Sequence, residues 1–247
     1  MIKSKETAIN ILFESQGSMA FTKTTSEGLP LAFSLVAHSR LRFILNLLPL
    51  LQKATTIRRV VTVAAASCEG PIDLDNIPAL GFPLRQFRDQ SASILTLLLE
   101  EAARRAPDVS FIHTTPGIVK SGIMRDMEPT IQLSIMVAIC KALSPFINTS
   151  PYECAERLVF TASSAMFTPR QSGVGCLGVP LTESLAVARG SDGQVSSGIY
   201  TVDNKGDISP SKVERLLHEF REDGTATKVW EYLRDDFLRI TGTEASL

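Results

Sequence analysis

Arg59-Val-Val-Thr-Val-Ala-Ala65 and Val109-Ser-Phe-Ile-His-Thr-Thr-Pro-Gly-Ile-Val119, with one long helix signal between them, decide how this chain folds. Val60 to Val63 is a β-branched run that suits a pleated, buried surface, and Gly70-Pro71 ends the segment after it. Val109 to His113 reads as a second strand, turned at its C-terminal end by Pro116-Gly117. Ile72 to Leu84, rich in Pro and Gly, is a loop that delivers the chain to a helix from Phe87 to Arg105. In that helix Ala92, Leu95, Leu99, Ala102 and Ala106 recur at alternating spacings of three and four, which lays an apolar stripe along it. Leu97 and Leu98 add a second apolar face, so the helix packs on its own sheet and on a partner helix. Strand, crossover helix and strand make a parallel βαβ unit. Between Arg58 and Val119 that unit contains no Tyr and no Lys.

The flanking segments keep the same rhythm. Ala8 to Phe13 is a short apolar run ended by Glu14-Ser15-Gln16-Gly17, a buried strand leading into a turn. Pro30 suits a first helical position, and Leu31 to Lys53 is a helix with Leu35, Phe43, Leu47 and Leu51 near helical spacing and Pro49 close to its end. Ser150-Pro151-Tyr152-Glu153 is a capping box that opens a helix from Pro151 to about Ala165. Gly198-Ile-Tyr-Thr-Val-Asp203 is a strand and Asn204-Lys-Gly206 its turn. Two C-terminal helices, Pro210–Arg221 and Lys228–Ile240, are separated by Gly224 as a left-handed cap. Strand–helix units joined by short turns, with no hairpin signal, predict a single α/β domain over residues 1–247: a doubly wound parallel sheet with helices on both faces.

Composition narrows the function classes. With 247 residues, 44% hydrophobic and 21% charged, the chain can bury a full core. A net charge of −1 spread along the chain leaves no footprint for nucleic acid or an anionic membrane. Cys68, Cys140, Cys154 and Cys176 form no Cys-x-x-Cys pair, and His38, His113 and His218 are equally scattered, which disfavours a metal site and a disulfide framework. Lys3 and Lys5 precede an apolar stretch too short for a signal peptide; Ser, His and Arg interrupt Leu29–Leu51, and Lys141 interrupts Ile135–Ile147. The expectation is a soluble, cytoplasmic protein with no membrane partner.

The order of these motifs resembles the short-chain dehydrogenase/reductase family, and most of all its divergent branch common in fungal genomes. Phe13-Glu-Ser-Gln-Gly17 is similar to the family's fourth strand and its Asn-Asn-Ala-Gly turn, of which the Gly is kept. Leu47-Leu-Pro-Leu-Leu51 matches a Leu-Pro-Leu pattern in the next helix, and Arg59–Ala65 the strand that normally ends Val-Ser-Ser. Phe111–Val119 matches the Pro-Gly turn whose backbone and Val face the nicotinamide, and Gly198–Asp203 with Gly206 fits the last strand. The resemblance covers residues 8–206. It implies a truncated Rossmann-like fold, NADP or NAD as cofactor, a small-molecule substrate of secondary metabolism, and cofactor contacts at Gly17, Pro116, Gly117, Ile118 and Val119. It also implies a homo-oligomer, or pairing with an intact paralogue, through Leu31–Lys53 and Phe87–Arg105.

The departures from the family are as specific. Its catalytic Asn, Ser, Tyr and Lys fall here on Val36, on Ala64-Ala65, between Arg85 and Arg88, and between Asp89 and Ala92, so no catalytic residue is assigned. Arg cannot replace Tyr as a proton donor at neutral pH. Only thirteen residues precede Glu14, where the family has its first three strands and Gly-rich turn. The expectation is therefore either an oxidoreductase that uses other residues or other chain, or an inactive binding partner, or a truncated gene product, with β-strand Ala8–Phe13 as an edge. Gly173-Val-Gly175-Cys-Leu-Gly178 matches G-x-G-x-x-G, yet it follows Pro169-Arg-Gln-Ser172 and precedes Pro180, so it reads as a loop. Ser67 reads as a loop Ser bonded to its own backbone, His113 as a satisfied core histidine, and Asp73, Asp75 and Arg88 as solvated or helix-end charges.

Overall fold

The computed structural model describes residues 2–119, 122–123, 138, 149–171 and 178–243. Four strands, β1 (Ile11–Glu14), β2 (Arg59–Val63), β3 (Ser110–Thr114) and β4 (Ile199–Val202), form one parallel sheet in the order β1-β2-β3-β4. The strands sit where the sequence places them, with β1 shifted toward Glu14, and β1 is an edge of the described sheet. The helices are α1 (Leu31–Val36), α2 (His38–Leu51), α3 (Leu84–Arg105), α4 (Pro151–Ser163), α5 (Ser211–Glu222) and α6 (Thr225–Thr241). The fold is α/β and Rossmann-like, with helices on both faces of the sheet.

Period-two alternation sorts each strand between the two faces. Val60, Phe111 and Ile199 point to one side, where they join Ile44, Leu48 and Leu51 of α2 and Leu95, Leu99 and Ala102 of α3. Val61, Ile112, Tyr200 and Val202 point to the other side and pack with Phe167 and Ala188. The predicted stripe of α3 is the one that meets the sheet. Its second apolar face is filled from within the chain: Leu97 packs on Val213, Leu217 and Phe220 of α5, and Ile94 and Leu98 on Val229, Leu233 and Phe237 of α6.

Two sequence expectations need correction. The single helix Leu31–Lys53 is two helices, broken at Ala37 with φ −105° and ψ −68°, whereas Pro49 is carried inside the last turn of α2. Leu31–Leu51 has the length and apolarity of a membrane span, but it is largely buried against the sheet and α6, as the core helix of a folded domain would be. The face of α2 and α3 turned away from the sheet is covered by α6. Phe237 lies on Leu41 and Leu45 of α2, and the His38 Nε2 and Asp236 Oδ2 atoms are 2.9 Å apart in a hydrogen bond. The α4 cap forms as half of the predicted box: Ser150 Oγ accepts from Glu153 N, while the Glu153 carboxylate turns to Arg157.

Arg59, at the first position of β2, is completely buried. Its guanidinium donates to the carbonyls of Thr161 and Ala162 at the end of α4 and to Phe167 O at 2.6 Å, and it lies 5.9 Å from the Phe167 ring centroid. The last carbonyls of a helix lack partners and carry partial negative charge, so a cation that reaches them joins α4 to the sheet. Arg59→Met keeps the apolar stem and removes the donors, leaving three buried carbonyls unpaired. The expected loss is about 3 kcal/mol of unfolding free energy, read as a lower midpoint in urea denaturation.

Candidate functional site

Open parallel sheets bind ligands beyond the carboxyl ends of their strands. The five residues assigned to a cofactor all follow strands at that edge, Gly17 after β1 and Pro116 to Val119 after β3. Gly17 lies three residues past β1, and a Cβ placed on it would sit 3.8 Å from Ile123 Cδ1, so the β1 loop touches the segment that follows Val119. Pro116 and Gly117 follow β3. Gly117 has φ +74°, and a Cβ there would lie 3.0 Å from Thr149 Oγ1 and 3.1 Å from Asn204 Cβ, so both backbone and space require Gly. Ile118 O accepts from Thr149 N, Val119 bridges Thr149, and the Ile118 side chain is exposed.

Beneath this edge runs a row the sequence reading did not find. The strand register sets Glu14 beside Thr62, Thr62 beside His113, and His113 beside Thr201. All four face α2 and α3, and all are buried, with 3%, 0%, 0% and 1% of their surface exposed. The row below it, Leu12, Val60, Phe111 and Ile199, is apolar. The sheet thus changes from oil to polar in one step, at the layer next to the crevice. The clue was available: each strand carries a polar residue two positions after an inward apolar one, but only the register shows that the four fall abreast.

The row is wired to the helices. Thr62 Oγ1 donates to Glu14 Oε2, and Arg40 of α2, 2% exposed, donates to Gln16 O at 2.6 Å, Val63 O at 3.0 Å and Leu35 O at 3.3 Å. His113 Nε2 accepts from Ala65 N, which places its proton on Nδ1, facing Thr96 Oγ1 at 2.8 Å. Thr96 Oγ1 donates onward to Glu69 Oε1 at 3.0 Å. Burial pushes the Glu69 carboxyl up to about 7, partly offset by hydrogen bonds from main-chain groups and Thr96. Burial likewise pushes Glu14 up to about 7 against the pull of Thr62 and Arg40. Burial and then the Arg40 charge hold His113 down to about 3, so its imidazole is neutral.

The positions that the sequence resemblance set against the family's catalytic group have other surroundings. Val36 ends α1, and Ala65 offers only its N–H. Arg85 and Arg88 are exposed and pair with Asp89. Gln90, within the Asp89–Ala92 stretch, is buried and donates to Asn76 O and Ile77 O. Ser67 is bonded to Ser209 Oγ at 2.6 Å, not to its own backbone, and holds φ +67°. Asp73 caps a 3-10 turn by accepting from Asp75 N. Residues 172–177 of the G-x-G-x-x-G stretch lie outside the described residues; Gly178 is wedged against the end of α4, where a Cβ would meet Ser163 O at 2.2 Å. Among the described residues no cluster of His, Cys, Asp or Glu could hold a metal ion.

Comparison with known proteins settles the lineage. The chain is 34% identical over 235 residues to oxidoreductase AN1596 of Emericella nidulans, a match covering 94% of this chain and 69% of that protein. The short-chain dehydrogenase/reductase SAT2 of Stachybotrys chartarum is 26% identical over 232 residues, covering 90% of this chain and 63% of SAT2. This chain belongs with these fungal oxidoreductases and is short-chain dehydrogenase/reductase-like. It spans about two thirds of the length of either relative. No protein-family model matches it. A solved structure, the angucycline C-6 ketoreductase LanV with bound NADP, aligns at 14% identity with a TM-score of 0.41 over 65% of this chain and 59% of that one.

The two raised carboxyls fix how stability depends on pH. A carboxyl whose folded value exceeds its unfolded value of 4.5 binds its proton more tightly in the native state, so stability falls as pH rises above about 4.5 and levels off past about 7. Glu69→Gln keeps the acceptor for Thr96 and removes the ionisation. The decline in unfolding free energy between pH 5 and pH 8 should shrink by roughly 2 kcal/mol in that variant, measured by urea titration at both pH values.

Proposed function

We propose that this chain serves small-molecule oxidoreduction of the secondary-metabolite type, presenting the nicotinamide-facing side of a short-chain dehydrogenase/reductase site without a Tyr–Lys proton donor. The observation that carries this is that Gly17 after β1 and Pro116–Val119 after β3 both lie beyond the carboxyl ends of their strands, with Ile123 against the Gly17 loop. A bound NADP or NAD would supply the hydride. The fit of the described residues to such a group is one-sided. The exposed Ile118 side chain and the Pro116-Gly117 backbone suit the flat ring and shield it from water. Among the described residues the phosphates find no cradle: Arg157, beside Asn204 and Pro116, is already committed to Glu153 and the Asn204 carbonyl.

Proton transfer at this edge has no exposed donor among the described residues that the family would recognise. Glu14, His113 and Glu69 hold or accept protons, yet each is shut beneath the crevice. That burial favours a second reading, in which the chain binds a ligand or pairs with an intact paralogue and leaves turnover to its partner. Each missing charge-assisted contact to the cofactor costs roughly 1.5–3 kcal/mol, enough together to move a micromolar site to millimolar.

Two measurements test the proposal. Titration calorimetry and reduced-cofactor fluorescence on the 247-residue protein should show no saturation by NADH or NADPH in the micromolar range; micromolar saturation would overturn the one-sided site. Ala65→Ser, at the family's Ser place, should change stability by less than about 0.5 kcal/mol and confer no carbonyl reduction. Turnover gained by that single change would show a proton donor at this edge after all.

A further inference from the structure

A cleft of about 780 Å³ opens at the opposite end of the sheet, where α3 finishes, β4 begins and α6 starts. That volume is in the range of small-molecule sites. Five arginines and four carboxylates line it. The carboxylates are largely spent on internal pairs. Glu100 accepts from Arg221 Nη1 with both oxygens and from Ser191 Oγ, Glu101 takes Arg104 and Arg105, and Asp192 takes Arg170. Four of the five guanidiniums keep donors to spare. Arg104 Nη1, both Nη atoms of Arg105, Arg170 Nη1 and Arg221 Nη2 make no hydrogen bond among the described residues.

Two further features suit the same ligand. Arg105 is stacked over Trp230, its guanidinium carbon 4.2 Å from the ring centroid, which fixes the plane of its remaining donors. Ala226 and Thr227, in the first turn of the 17-residue helix α6, also line the cleft. Their main-chain N–H groups precede the first intrahelical bond, Lys228 N to Gly224 O, and find no acceptor among the described residues. Unpaired N–H groups at a positive helix end beside forked guanidiniums are the donor set that oxyanions select.

We propose that this cleft binds a small organic polyanion carrying two or more phosphate or carboxylate groups, at a site separate from the crevice above the polar row. The anion would lie between Arg105 and Arg170, accept from the start of α6 and rest on the Trp230 edge of the cleft.

Titration calorimetry with inorganic pyrophosphate and with citrate, at constant ionic strength set by sodium chloride, tests this. Saturable binding of at least one probe is expected, with a Kd on the order of 0.1 mM, and the tighter probe names the class of anion. Arg105→Ala and Arg170→Ala should each weaken binding about tenfold, as loss of one charge-assisted contact does. Thr227→Glu, on an exposed position that leaves the core intact, should abolish it by placing a carboxylate in the cleft. Lys205→Ala, in the turn after β4 at the other edge, should leave it unchanged. Failure of both probes to saturate overturns the proposal, as does binding that Thr227→Glu leaves intact.

Discussion

β2 is held at both ends by buried guanidinium groups, and the fold depends on that clamp. Arg59 opens the strand and reaches three carbonyls at the end of α4 and in the segment beyond it. Arg40 comes from α2 to the last carbonyl of the same strand, Val63 O, and to Gln16 O in the loop after β1. A cation in the interior persists only where its N–H groups are answered, and main-chain carbonyls answer them without adding a second charge to desolvate. Each arginine therefore fixes several segments at once: Arg59 sets α4 on one face, and Arg40 sets the height of the β1 loop on the other. Burial draws both guanidiniums down to about 10, which still leaves them charged at neutral pH.

The polar row follows from the same economy of partners. Glu14 is tolerated inside because Thr62 donates to it and the Arg40 charge stands near; His113 because Ala65 N and Thr96 take both ring nitrogens. The row closes the floor of the crevice with hydrogen-bonded groups of fixed orientation, while Gly117 fixes its rim by allowing only a turn without a side chain. The first turns of α3 carry Arg85 and Arg88, paired with Asp89, and a Gln90 that stitches the preceding loop.

Much of the sheet was legible in the chain because parallel strands, buried on both faces, announce themselves as β-branched runs and need long crossovers. The two apolar faces of α3 were legible for the same reason of periodicity. What covered the second face was not: α5 and α6 lie more than a hundred residues away, and an amphipathic helix does not say which neighbour it meets. The break at Ala37 left no Pro or Gly to mark it. The buried roles of Arg40, Glu14 and Glu69 were hidden because charged residues usually face water, and only the register shows a strand position to be interior. Gly17 and Pro116–Val119 were placed at one edge by resemblance and do follow their strands there, whereas nothing local in the sequence linked Ser67 to Ser209.

The seat of α6 on α2 and α3 changes how that surface responds to dilution. A contact between separate subunits weakens as protein concentration falls, but α6 is tied through α5 to the end of β4, and its docking is a unimolecular step. A short tether gives an effective local concentration on the order of millimolar. Any second chain bidding for the part of α2 and α3 that α6 covers must out-compete a rival that is always present at that level.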